Sequence, residues 1–328
     1  MTTEETTTVR ARPEPIKAVP VRHPGRWIAV AVLAVLAAMF VHVLVTNDNL
    51  QWSFMVDHMF RPPVIEGLLR GTVLMTICAM LLGVSLGIVV AIMRLSTNPI
   101  LRVVAWLYTW VFRSVPRLVL LAVFGNLGIL WSRIEFGVPF DTHIGQLFGI
   151  DNLQLRVFGF SSRDVLTGFV AGLLGLALSE AAYMAEIVRA GIQSVDEGQA
   201  EAASALGMSR AQILRRIVLP QAMRVIIPPT GNETIAMLKD TSLLLAVPYS
   251  IELFFQLDAV GKRTFQIFPM YVAAVLWYLF LTSILLTGQY FLERHFGKGN
   301  GRTERARIRL RSIAGEAGGG GGREGGEQ

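Results

Sequence analysis

The stretch EAASALGMSRAQILRRIVLP, Glu201 to Pro220, is polar and helix-forming, and it lies between two segments apolar enough to sit in a membrane. A helix pattern is marked at both ends of each half. Ser194 with Glu197, and Ser209 with Gln212, stand in the S-x-x-E/Q relation of a capping box, so a helix is expected to start at each. Gly207 is placed to stop the first helix in a left-handed C′ conformation, and Pro220 to end the second. The first helix carries small residues at Ala200, Ala202, Ala203, Ser204 and Ala205 beside Glu201. The second has Ile213, Leu214, Ile217 and Val218 on one side and Arg210, Arg215 and Arg216 around the others. A smooth face on one helix and an anchoring face on the next describe a hairpin made to be gripped, although an interfacial amphipathic loop has the same pattern.

Working outward, the composition is that of a membrane protein: 52% of the 328 residues are hydrophobic and only 16% are charged. The lone Cys78 has no partner for an internal disulfide, and the five histidines lack metal-ligand spacing, so no redox or metal centre is expected. A bilayer-crossing helix needs roughly 20 apolar residues. Segments 27–46 and 67–93 meet that length, as do 164–188, with Ser161 and Asp164 as its expected start, and 268–291. Segment 101–112, rich in Trp and Tyr, is expected to lie along the cytoplasmic interface, with a crossing from 114 to about 131 and Arg113 and Arg117 snorkelling. Segment 226–257 holds Pro228, Pro229, Glu233, Lys239, Asp240 and Pro248, and is read as a broken or tilted span.

About six spans bring both termini to one side, and the arginines at 22, 26, 94, 102, 189, 210, 215, 216 and 224 fall on that side. It is therefore expected to be cytoplasmic, with the 201–220 loop facing the cytosol. Residues 1–26 and 297–328 have the composition of disordered cytoplasmic tails, the second rich in Arg and Gly. The arginines at 302–311 are read as a positive-inside anchor on membrane lipid, with no nucleic-acid partner.

Charges at membrane depth mark a wet cavity or a partner. Glu233, Met237 and Asp240 share one helical face at i, i+4 and i+7, and Lys239 stands beside them to neutralise Asp240 or to bind a solute carboxylate. Such mixed-sign lining suits a zwitterion. With Thr241 and Ser242, these residues form a candidate pathway, for which a structural role at the membrane boundary is the alternative. Glu186 is placed to pair with Arg189, while the deeper Glu180 needs a partner that the sequence does not name. Four-residue rows of small side chains, at 79, 83, 87 and 91 and around 168–179, allow close helix packing, within the chain or against a second copy.

From about 65 to 296 the chain resembles the membrane subunits of ABC importers for polar amino acids, of the histidine, glutamine, glutamate and arginine type. The resemblance is carried by Arg113-Ser-Val-Pro116, Glu180-Ala-Ala-Tyr-Met-Ala-Glu-Ile-Val-Arg189, Gly198-Gln199 leading into Glu201-Ala202-Ala203, Leu219-Pro220-Gln-Ala222 and Lys239-Asp-Thr-Ser-Leu243. It implies an all-α fold, a five-helix type I importer core at 65–296 with one added N-terminal helix at 27–46, in the plasma membrane. It also implies a loop, 194–220, that docks on an ATPase through Gly198, Glu201, Ala202, Ala203, Gly207, Leu219 and Pro220, and gating or positioning roles for Arg113, Pro116 and Glu180. The implied partners are two ATP-binding subunits, an extracytoplasmic solute-binding protein and a second permease, identical or related. No G-x-x-x-x-G-K-[ST] loop occurs, so ATP and Mg are expected in the partner ATPase and no cofactor in this chain. A channel or ion-coupled carrier for a small zwitterion is the alternative.

Overall fold

A computed structural model describes residues 24–131, 133–137, 146, 148–149, 155–166 and 168–296. Most of the residues expected to form disordered tails, 1–23 and 297–328, lie outside that set. The chain divides into two compact units, 1–51 and 52–328. In the first, helix α1 (Pro24–Thr46) is apolar around its whole circumference and starts three residues before the expected boundary.

The second unit is a helical bundle. Helix α2 (Trp52–Met59) leads to α3 (Pro62–Glu66), and a π-helical stretch (Gly67–Val73) joins α3 to α4 (Leu74–Leu95) in one 34-residue run. Helix α5 (Pro99–Ser114) follows, capped by Asn98, and Val115-Pro116 turns the chain by 100° into α6 (Arg117–Gly125) and the short α7 (Leu127–Leu130). The turn is where the sequence put it, because proline removes the helical option from the residue before it.

Beyond α7 the expectation of a purely helical chain needs correction. Strands β1 (Arg133–Gly137) and β2 (Arg156–Ser161) pair antiparallel, Arg133 opposite Ser161 and Glu135 opposite Gly159. Val157, Phe158 and Phe160, β-branched and aromatic, favour the extended form. The expected helix start at Ser161 and Asp164 opens only the four-residue α8 (Ser162–Val165), where Ser161 makes no side-chain cap bond. The long helix α9 starts afterwards and spans Gly168–Gln193.

Helix α10 (Glu197–Ala205) and α11 (Arg210–Ile213) make the hairpin, and a π-helical stretch (Leu214–Val218) runs on into α12 (Leu219–Asp240). Pro220 therefore does not end a helix. It sits inside the helical run, where the π-helical stretch gives way to α12. Likewise α12 passes through Pro228 and Pro229, and the break expected within 226–257 comes after Asp240, at a 3-10 turn (Thr241–Ala246). Helix α13 (Leu253–Thr264) and the 30-residue α14 (Ile267–Phe296) complete the bundle.

Four helical runs, 25–46, 62–95, 168–193 and 267–296, are long and apolar enough to cross a membrane, and the bent pair α5–α6 passes the same test when its two helices are taken together. The central core joins α4, α6, α9, α12 and the 3-10 turn after it through Met75, Ala79, Leu121, Leu176, Met237 and Leu244. The rows of small residues are used inside the chain: a Cβ on Gly83 would stand 2.8 Å from Glu180 Cβ, and one on Gly87 2.6 Å from Met184 Cβ. Helices α4 and α9 thus meet almost backbone to backbone, which fixes the height of Glu180. Gly168 is tighter still, its hypothetical Cβ falling 2.0 Å from the Pro248 carbonyl oxygen. Gly168→Ala is expected to cost about 1–3 kcal/mol by overpacking against backbone. Melting in detergent checks this, with Gly288→Ala, which meets nothing within 4 Å, as the control that stays at or above the wild-type value.

Candidate functional site: an ionic centre and a helical hairpin

The α5–α6 turn delivers Arg117 into the bundle, where three carboxylates converge on it. Its guanidinium donates to Glu180 Oε2 on α9 at 2.9 Å and to Asp240 on α12, and lies 3.6 Å from Glu233 Oε2, one face of α12 supplying both of the latter. Glu180 is fully buried, whereas the side chains of Glu233 and Asp240 are 25% and 31% exposed. One cation thus faces three carboxylates, so the centre carries a negative excess toward its open side. Glu180 Oε1 is buried without a hydrogen-bond partner, a costly state for a carboxylate oxygen. Tyr183, one turn along α9 from Glu180, offers its ring face to both Arg117 at 5.0 Å and Arg113 at 5.4 Å. Tyr108 ties α5 to the same helix, its hydroxyl donating to the Leu178 carbonyl at 2.7 Å.

The residues proposed for a pathway separate into three environments. Glu233 and Asp240 join Arg117. Met237 is fully buried in the central core, and Thr241 is buried with its hydroxyl donating to the Leu238 carbonyl at 2.8 Å. Lys239 and Ser242 instead line a cavity of about 530 Å³ with Tyr271, Tyr278 and Leu279 of α14. The cation that sequence reasoning set beside Asp240 was Lys239. Adjacent residues on a helix point about 100° apart, and Arg117 occupies the position instead. The snorkelling expected of Arg117 does not occur: its guanidinium turns into the bundle. The sign of it in the sequence is Glu180, a deep carboxylate for which no partner is named there. Pro116 forms the turn immediately before Arg117. Nearer the end of α9, Glu186 pairs with Arg189 at 2.7 Å, as its spacing suggested, and also with Arg94 of α4 at 3.2 Å.

The hairpin is built on local hydrogen bonds. Asp196, not Ser194, caps α10, accepting from the Gly198 N–H at 2.8 Å; the Ser194 hydroxyl is spent on the Gly191 carbonyl. Asp196 wins because its carboxylate is one residue before the helix and matches the positive end of the backbone dipole. Gly207 has φ +79°, its N–H donates to the Ser204 carbonyl at 3.0 Å, and the Met208 N–H reaches back to Ala203 at 3.2 Å. These two bonds are a Schellman stop. The capping box at Ser209 and Gln212 is present with both bonds. Glu201, Ala202 and Gly207 are exposed while Ala203 is buried, and Leu206 projects 83% exposed at the turn. Leu206 was missed because an apolar side chain in an apolar-rich sequence carries no signal of its exposure. Leu219 and Pro220 are on the first turn of α12, so the hairpin and the carboxylates of α12 share one continuous helical run.

Residues 83–298 match the family described as binding-protein-dependent transport system inner membrane component. The arginine transport system permease protein ArgU of Corynebacterium glutamicum is 46% identical over 297 residues, covering 90% of this chain and 88% of that protein. The probable glutamine ABC transporter permease protein GlnM of Bacillus subtilis is 33% identical, covering 69% and 90%. Among solved structures, the crystal structure of an amino acid ABC transporter with histidines superposes with a TM-score of 0.59 at 31% identity, over 74% of this chain and 98% of that one. The inward-facing methionine ABC transporter MetNI, at 18% identity and a TM-score of 0.50, shares the fold. These likenesses do not favour a channel or an ion-coupled carrier. With its type I importer fold and several apolar spans, the chain belongs to the binding-protein-dependent transport system inner membrane components, as the multi-pass, non-catalytic permease subunit of an amino-acid ABC importer whose ATPase is a separate subunit.

Proposed function

We propose that this permease moves a cationic amino acid of the arginine class, and that the carboxylates around Arg117 form the point in the pathway where the cation passes. The observation that carries this is the charge imbalance: a single buried guanidinium against Glu180, Glu233 and Asp240, the last two partly open. A passing cation relieves that excess, and Arg113, also over the Tyr183 ring, is available for the solute carboxylate. The naming of the 46% identical relative for arginine supports the same class. Lys239 and Ser242, on the α14 side of α12, are outside this path.

The hairpin is the surface that receives the ATPase. Gly198 and Ala202 give it a smooth face, the buried Ala203 holds that face against the rest of the hairpin, Glu201 gives a charge, Gly207 a fixed turn, and Leu219 and Pro220 the junction through which its movement reaches Glu233 and Asp240. Two ATP-binding subunits, a second permease and an extracytoplasmic solute-binding protein complete the complex, and ATP with Mg is bound by the ATPases. Helix α12, too polar to pass as a span on composition, is the sixth crossing because its carboxylates are paired inside the bundle. Six crossings keep both termini, including tails 1–26 and 297–328, on the cytoplasmic side of the plasma membrane, with 27–46 as an addition to the 65–296 core.

Asp240→Asn tests the pathway. A charge-assisted contact is worth about 1.5–3 kcal/mol, so arginine uptake into vesicles is expected to fall by about ten- to a hundredfold at low solute. Uptake and preference for cationic over neutral amino acids at wild-type values would remove Asp240 from the path.

A further inference from the structure

Pro228 and Pro229 lack N–H groups, so the carbonyls of Arg224 and Val225 receive no i→i−4 bond, and α12 is weakest there. This weak turn lies between the hairpin junction at Leu219 and the carboxylate at Glu233. A movement delivered at Leu219 is lost in bending at the prolines unless something braces the helix just beyond them.

One side chain of α14 does so. Gln289, 9% exposed, donates its amide Nε2 to Asn232 Oδ1 at 2.7 Å and to Glu293 Oε1 at 2.8 Å, with the Pro228 carbonyl 3.5 Å away. Gly231 makes room for it: a Cβ there would stand 3.0 Å from Gln289 Oε1. That oxygen is buried without a partner, so the amide is held by its donor side alone, at an enthalpic cost that apolar packing would avoid.

We propose that Gln289 is a positioning residue for energy coupling: it clamps α12 to α14 immediately beyond the proline pair, so that the outer half of α12, with Glu233 and Asp240, turns as a unit with α14 when the hairpin moves. The clamp touches neither solute nor ATPase. It rests on the reading that the hairpin delivers the ATPase stroke to α12.

The test is the number of ATP molecules hydrolysed per solute imported by the reconstituted complex with its ATPase and binding protein. Gln289→Leu keeps volume and removes the donor. The ratio is expected to rise at least fivefold, with ATP hydrolysis retained and the melting temperature close to that of wild type. A purely structural glutamine would lower melting temperature and leave the ratio alone, and a ratio within twofold of wild type overturns the clamp. Should Gln289→Leu fail to assemble, Gly231→Ala, which displaces the amide without altering it, decides by the same criterion. If Gly207→Val uncouples transport while neither of these does, only the clamp fails; if Gly207→Val leaves coupling intact, the reading beneath it fails.

Discussion

Arg117→Met is expected to abolish uptake and to destabilise the permease by about 3–5 kcal/mol, the usual cost of stripping one partner from a buried ion pair. Glu180 is fully buried and Arg117 is its only cationic partner among the described residues, so the variant leaves a carboxylate in the core with two more beside it. Arg117→Lys keeps the charge but loses the fork that lets one side chain serve Glu180 and Asp240 together, so intermediate stability and slow uptake are expected. Adding Glu180→Gln to Arg117→Met removes the uncompensated charge. Melting in detergent should then recover while uptake does not, which separates the structural part of the centre from its transport part.

Gly207→Val is expected to reduce uptake more than tenfold and to leave the ATPase unresponsive to the solute-loaded binding protein, with the bundle itself intact. The reason is conformational and not steric. A Cβ at Gly207 meets nothing within 4 Å, but φ is +79°, where a β-branched residue is strained by about 1–3 kcal/mol. Releasing that strain opens the Schellman stop and re-aims Ala202, Ala203 and Leu206. Asn visits this conformation more readily, so Gly207→Asn should keep most activity. Glu201→Gln should be milder still, since an exposed ion pair is worth only about 0–1 kcal/mol. Paired uptake and stimulated-hydrolysis assays rank the three variants, and a Gly207→Val complex coupled like wild type would end the coupling role of the turn.

What was legible in the sequence was what is encoded locally. The Gly207 stop and the Ser209–Gln212 box need only a few neighbouring residues, and the turn at Pro116 is dictated by one ring. The Glu186–Arg189 pair is a matter of helical spacing. Elements decided by tertiary contact were harder. Pro220, Pro228 and Pro229 all argue for helix ends, but Pro220 falls where the π-helical stretch meets α12, and the bundle, with Gln289 beside Pro228, carries α12 through the other two. The identity of the cation beside Asp240 depended on which helix packs on which: Arg117 is 123 positions away in sequence, and the alternative, Lys239, was adjacent. The β1–β2 pairing joins segments 133–137 and 156–161, both too short to register in a search for membrane-length helices.

Uptake of labelled arginine by proteoliposomes holding the permease, its ATPase and its solute-binding protein is the most direct test of ATP-driven transport through this hairpin and ionic centre. With ATP on the hairpin side and ionophores present to collapse every ion gradient, uptake is predicted to proceed, to stop when hydrolysis is blocked, and to fall sharply in Gly207→Val and Asp240→Asn. Uptake that needs an ion gradient and continues without ATP would contradict the account.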